Sequence, residues 1–183
     1  MSEFLTLDGV MEAPGGEPGH PHSGWVFDFM SAEQERYKLD EVLEGESLLL
    51  GRVTYEGFAA AWPERGGEFA DKMNSMPKYV VSTTLRDLPW NNSTLLGGEV
   101  PEKVAELRRR DAGPILVAGS RTLVHTLLAH GLVDELRLMI FPVLLGSGRR
   151  LFPESPDKTV LELADTRPFE SGVVVQTYRP AGV

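Results

Sequence analysis

Between residues 46 and 145, short unbroken apolar runs alternate with segments of helical spacing, and that order leaves few folds open. The runs are Ser47-Leu-Leu-Leu-Gly51, Lys78-Tyr-Val-Val-Ser82, a weaker patch at Leu95-Leu96, and Ile115-Leu-Val-Ala118. A strand that is apolar at every position is buried on both faces, as in a parallel sheet covered by helices. The spacing predicts helices over Val53–Trp62, stopped by Pro63, over Val100–Arg110, and over Thr122–His130, closed by Gly131. Upstream, a strand over Ser2–Leu7 ends at Asp8-Gly9. A further helix starts after Ser31, with Gln34 at capping-box spacing, and runs to Leu43. Downstream, Glu135–Leu145 reads as a long strand. Thr159–Leu163 and Gly172–Tyr178 follow with no helix between them, so they pair antiparallel. The expectation is an α/β fold with a mostly parallel twisted sheet and antiparallel C-terminal strands. With no internal repeat, residues 1–183 are read as a single domain.

Charge and composition exclude several functions. The formal net charge is −9, which repels nucleic acid and anionic membranes alike. The dense basic clusters, Arg108-Arg109-Arg110 and Arg149-Arg150, are short, and the first complements a helix C-terminus. No cysteine is present, which removes disulfides, thiolate zinc sites and cysteine nucleophiles. The N-terminal residues lack the layout of a secretion signal, and no apolar run is long enough for a membrane span, so a cytoplasmic location is expected.

In open α/β sheets, ligands bind beyond the carboxyl ends of the strands. Three such ends carry suitable residues: Gly51-Arg52-Val53-Thr54, Ser82-Thr83-Thr84, and Gly119-Ser120-Arg121-Thr122. The first and third are strand-to-helix turns, whose backbone N–H groups hold phosphate. Any one of them is ordinary punctuation, but three together in an acidic chain point to an anionic nucleotide. Other motifs fail on context. Gly146-Ser-Gly148 lacks the third glycine of a dinucleotide fingerprint, where Leu151 stands, and Pro153 and Pro156 oppose a helix there. His20-Pro-His22 offers two imidazoles with no further ligand nearby, so no metal site is expected. No GxSxG elbow is present. Residues 12–24, dense in Gly and Pro, are too long for a plain connection and read as a lid over a binding site.

Four stretches, in order, resemble the riboflavin-reductase C-terminal domain family of the dihydrofolate-reductase-like superfamily. They are Ser2-Glu-Phe-Leu-Thr-Leu-Asp-Gly-Val-Met11, Leu50-Gly-Arg-Val-Thr-Tyr-Glu56, Val80-Val-Ser-Thr-Thr-Leu85, and the run from Ile115 through Leu136 to Phe152. The resemblance spans almost the whole chain and implies a three-layer αβα dihydrofolate-reductase-like fold. It implies NADPH as cofactor, hydride transfer to a pyrimidine- or pterin-type heterocycle, and a homodimer. By that resemblance, Arg52 and Thr54, flanked by Gly51 and Val53, hold the adenosine-side phosphates, with Ser82 and Thr83 beside the adenosine. Gly119 and Ser120, followed by Arg121 and Thr122, cradle the pyrophosphate, and Asp8 to Met11 border the nicotinamide. Arg121 departs from a glycine common in the family. The stretch before Asp8 is short beside relatives, so either the first strand is short or the start lies downstream of the natural one.

Two carboxylates are candidates for catalysis, Asp8 and Glu35. Glu35 lies in the first turn of its helix, as the substrate-binding carboxylate of dihydrofolate reductases does, and a carboxylate there can assist ring protonation. Each has a plain alternative, a turn residue for Asp8 and a helix-dipole partner for Glu35. Trp25 either roofs the substrate pocket or anchors the loop. The reductase of 5-amino-6-(5-phosphoribosylamino)uracil is one activity consistent with this pattern. The alternatives are a non-catalytic nucleotide-binding module on the same fold and dihydrofolate reductase proper.

Overall fold

The computed structural model describes residues 1–110, 113–152 and 158–181; Pro153 and Pro156 lie outside them. Contacts group the chain into two compact units, one of Met1–Glu35 with Val133–Val183 and one of Arg36–Leu132. Ladder hydrogen bonds form two four-stranded sheets, one in each unit.

The continuous unit holds β2 (Ser47–Gly51), β3 (Lys78–Val81), β4 (Ser93–Leu96) and β5 (Ile115–Val117), in the order β4-β3-β2-β5 and all parallel. Its helices are α2 (Arg52–Ala61), α3 (Glu68–Ser75), α4 (Val100–Arg110) and α5 (Arg121–Ala129), and most of α1 (Ala32–Glu44) belongs here too. Every residue of β2 is buried, as its unbroken apolar run requires. Leu48 and Leu50 pack with Tyr55, Met73, Val80 and Trp90, and each fully buried leucine stabilises the fold by about 1.5–3 kcal/mol.

The discontinuous unit holds β1 (Ser2–Thr6), β6 (Leu136–Phe141), β7 (Leu161–Pro168) and β8 (Val174–Pro180), in the order β1-β6-β8-β7. The β1–β6 pair is parallel; β8 runs antiparallel to both β6 and β7. Mostly parallel pairing with antiparallel C-terminal strands is therefore the observed architecture. Rings gather on Phe141, where Phe4, Trp25 and Phe29 approach edge-on at 5.5, 5.2 and 5.9 Å. No described helix is long and apolar enough to cross a membrane.

Some boundaries depart from the sequence reading. β6 stops at Phe141, not Leu145, because Pro142 cannot donate to the ladder and the Val143 N–H turns back to the Phe141 carbonyl at 2.8 Å. The helix α3 and a 3₁₀ helix over Trp25–Phe29 were not expected. β7 runs to Pro168, well past Leu163, and is exposed along nearly all its length, so it carries no hydrophobic period to read.

Candidate functional site

The three expected strand ends lie in one unit, at the carboxyl ends of β2, β3 and β5. The turns after β2 and β5 interlock. The Gly51 N–H donates to the Gly119 carbonyl at 3.3 Å, and the Thr54 hydroxyl bonds the Ser120 hydroxyl at 3.3 Å. A Cβ on Gly51 would stand 2.3 Å from Ser120 Oγ, and one on Gly119 would stand 2.7 Å from Thr54 Oγ1. Gly119 also has φ +83, where side chains are strained, and the Gly119–Ser120 peptide is cis. The close approach of two helix N-termini thus depends on glycine at both positions.

Gly51 is the N-cap of α2 and Ser120 that of α5, and neither gives a side-chain hydrogen bond to its helix. First-turn N–H groups at Arg52, Val53 and Thr54, and at Arg121 and Thr122, carry the positive ends of two helix dipoles. Arg52 is half-exposed and its Nη1 donates to Glu56 Oε2 at 2.9 Å, one turn along the helix. Val53 is exposed and gives the rim an apolar surface. At the end of β3, Ser82 is buried and its oxygen accepts the N–H groups of Thr84 and Leu85 at 3.1 and 3.0 Å, so it shapes the turn while Thr83 is exposed. The cradle carries an expected result. The φ of −76 at Gly51 accepts alanine, so Gly51→Ala is opposed chiefly by its clash with Ser120, and overpacking of this kind costs about 1–3 kcal/mol. Urea unfolding should show that loss, and Gly51→Ala combined with Ser120→Gly should recover most of it; a neutral single variant would mean the turns have room to separate.

In the other unit the chain turns after β1. The Asp8 carboxylate accepts the Thr6 hydroxyl at 2.6 Å, the Gly146 N–H at 2.8 Å and the Leu145 N–H at 3.3 Å. The Thr6 hydroxyl, helped by the Gly146 and Leu145 N–H groups, holds its carboxyl below the usual range against a smaller desolvation. An ionised carboxylate with both oxygens engaged is suited to positioning the 145–146 turn. Gly9 to Met11 pair antiparallel with Arg149 to Leu151, and the Met11 N–H donates to the Arg149 carbonyl at 2.9 Å. Glu12 accepts the Arg149 N–H at 2.9 Å. Trp25 is buried, with its indole N–H on the Glu12 carbonyl at 2.9 Å, which is the geometry of a loop anchor. Glu35 is exposed in the first turn of α1. The loop over residues 12–24 holds itself together: the Gly24 N–H reaches the Ala13 carbonyl, the Ser23 hydroxyl the Glu17 carbonyl, and His20 lies 3.3 Å from the Ser147 carbonyl.

Sequence reasoning did not find Glu56, the partner of Arg52, although the i,i+4 spacing of opposite charges on a helix is a legible signal. Nor did it find Glu12, whose contact with Arg149 spans most of the chain and leaves no local trace.

The α/β fold, with its glycine-dependent meeting of two helix N-termini at the strand ends, is the setting in which the family match falls. The chain belongs to the RibD C-terminal domain family, whose profile matches residues 1–175. It is similar to the uncharacterized protein YyaP of Bacillus subtilis (strain 168), 29% identical over 179 residues, 95% of this chain and 90% of the relative. Its fold matches that of a Shewanella sp. PV-4 protein assigned to riboflavin biosynthesis, with a TM-score of 0.77 at 19% identity, covering 99% of this chain and 97% of the other. It also matches a diaminohydroxyphosphoribosylaminopyrimidine deaminase/5-amino-6-(5-phosphoribosylamino)uracil reductase of Thermotoga maritima. There the TM-score is 0.67 at 16% identity, covering 98% of this chain and 55% of that one. The dihydrofolate-reductase-like fold expected from the sequence is the fold observed.

Proposed function

We propose that this chain is an NADPH-dependent reductase that transfers a hydride to a small planar heterocycle of pyrimidine or pterin type. The observation that carries the reading is the interlocked cradle of Gly51 and Gly119, where two helix N-termini meet beside Arg52, Thr54, Ser120, Arg121 and Thr122. Its donor set fits a pyrophosphate, because backbone N–H groups, hydroxyls and guanidinium groups all favour negative oxygen. NADPH, when bound, supplies the hydride; the protein's part is to hold and orient the rings and to exclude water. In this reading Arg52 faces the 2′-phosphate and Thr83 lies beside the adenosine. The test is a titration with NADPH, followed by its oxidation monitored with 5-amino-6-(5-phosphoribosylamino)uracil and with dihydrofolate. Tight binding with turnover of either supports the reading, and failure to bind NADPH overturns it.

One observation favours a second reading, a module that binds nucleotide without turnover. Asp8, one of the two candidate catalytic carboxylates, has both oxygens taken up by Thr6, Leu145 and Gly146. NADPH binding without oxidation by any ring acceptor would select it.

We also propose that two copies associate through β7. Long apolar edges are expected from the sequence on Leu136–Leu145 and on the C-terminal strands; β6 lies inside its sheet between β1 and β8, which leaves the C-terminal strands. Of the two edge strands, β1 and β7, it is β7 that carries an exposed large apolar residue, Leu163 at 55%, with Val160 next to the strand at 55%. Light scattering should give about twice the chain mass of 20.2 kDa. Leu163→Lys should shift the wild-type mass to one chain, whereas a wild-type mass of one chain would end the proposal.

A further inference from the structure

The stripe that buries α4 is narrow. Its buried residues are Val104 and Leu107 alone, and the flank beside them carries Lys103, Glu106 and Arg110 at positions i, i+3 and i+7. That flank faces the edge strand β4 and its neighbour β3. Tyr79 on β3 and Thr94 on β4 are register partners, as are Val81 and Leu96, so Tyr79, Thr94 and Leu96 share one sheet face. Apolar side chains on the helix flank would fill the space over them. Charged ones leave a groove of about 270 Å³ instead, floored by the Tyr79 ring and walled by Leu96 and Leu107.

Two of the groove's polar groups meet. Arg110 Nη2 donates to the Tyr79 hydroxyl oxygen at 2.7 Å, and its guanidinium carbon lies 5.7 Å from the ring centroid. With that oxygen accepting, the Tyr79 O–H is directed to another acceptor. Lys103 pairs with Glu106 at 3.1 Å across the rim. The local field is positive in a protein of net charge −9: Lys103 first, then Arg109 and Arg110, draw the Glu106 carboxyl below its usual range. A guanidinium, a phenolic donor and an ammonium around an aromatic floor suit a flat ring bearing an anionic oxygen.

We infer that this groove is a second ligand site, separate from the strand-end cradle, which takes small aromatic carboxylates or aryl phosphates. The ring lies against Tyr79, Leu96 and Leu107, and the anion meets Arg110, Tyr79 O–H and Lys103. The volume suits one ring with its acidic group and is too small for a dinucleotide. The site draws on none of the residues proposed for NADPH, so the two proposals stand or fall apart.

The probes are phenyl phosphate and benzoate, added to the full-length protein and followed by amide chemical shifts, with inorganic phosphate and cyclohexanecarboxylate as controls. Both aromatic probes should shift Tyr79, Thr94, Leu96 and Leu107 saturably, and the two controls should bind at least tenfold more weakly. Arg110→Gln and Lys103→Gln, both surface changes, should each weaken phenyl phosphate about tenfold while leaving the melting temperature near that of the wild type. Tyr79→Phe, which keeps the floor and removes the O–H donor, should weaken it less. The proposal is overturned if the aromatic probes shift nothing in the groove, if inorganic phosphate competes equally, or if Arg110→Gln binds like the wild type.

Discussion

Arg52→Ala is expected to lower NADPH affinity by about 10–100-fold and NADH affinity far less, since hydrogen bonds from a cation to phosphate contribute roughly 1.5–3 kcal/mol each. Arg52 sits at the start of α2, half-exposed, with Glu56 accepting its Nη1 donor one turn on. That exposed pair contributes little to stability, so the variant should unfold like the wild type. Isothermal titration with both cofactors separates the possibilities. Equal losses for NADPH and NADH would place Arg52 away from the 2′-phosphate. Glu56→Gln gives a second reading of the same geometry. It removes a carboxylate that competes with phosphate for the guanidinium, so NADPH should bind as well as in the wild type or better.

The largest stability effect is expected at Lys78. Its ammonium is fully buried at the start of β3 and donates to the carbonyls of Met76 at 2.8 Å and of Asn74 and Asn91 at 3.0 Å each. It also lies 4.4 Å from the centroid of the Trp90 ring. Lys78→Met keeps the stem's volume but leaves three carbonyls without that donor. Because they belong to the backbone, no side-chain change can remove them. Losing such a set costs about 3 kcal/mol after the saved desolvation is counted, and roughly 6–12 °C of melting temperature at this chain length. Calorimetry that finds Lys78→Met as stable as the wild type would show that water satisfies the carbonyls.

Lys78 also gives a pH dependence with a definite sign. Burial pushes its ammonium down to about 8 from an ordinary 10.5. Between those values the unfolded chain holds the proton and the folded chain has released it, so this group makes stability rise with pH across that window. Below 8 both states are protonated and its contribution is flat. Lys78→Met should remove the rise.

What the sequence made legible follows from how local each signal is. β2 was readable to the residue because Leu48, Leu49 and Leu50 are all buried, and a run apolar on both faces has one interpretation. α1, α2, α4 and α5 were readable because each combines an apolar spacing with a start or stop signal nearby. α3 was missed: it is eight residues long, with Ala70 and Met73 as its buried residues, too few to mark a period. The strand-end residues of the site stood out because Gly, Ser, Thr and Arg gather there. What joins them did not, because the Gly51–Ser120 contact and the Asp8 bonds to Leu145 and Gly146 connect positions far apart in sequence. Asp8 shows the limit most clearly. Its residue type suggested an acid, and only its partners show a carboxylate held ionised in a turn.

The division of the chain bears on how the protein is made. Residues Arg36–Leu132 are continuous, so that unit has all its strands as soon as its last residue clears the ribosome. The other unit is split, and β1 finds its partner only in β6, with Ser2 opposite Arg137 and Thr6 opposite Phe141. At ~5–20 residues per second, β1 waits roughly 7–27 s for that strand to be synthesised. During that interval Phe4 and Leu5 are displayed on an unpaired strand, and closing so long a loop is slow. Conditions that change how fast the chain is synthesised should therefore act on its yield through the Ser2–Thr6 strand.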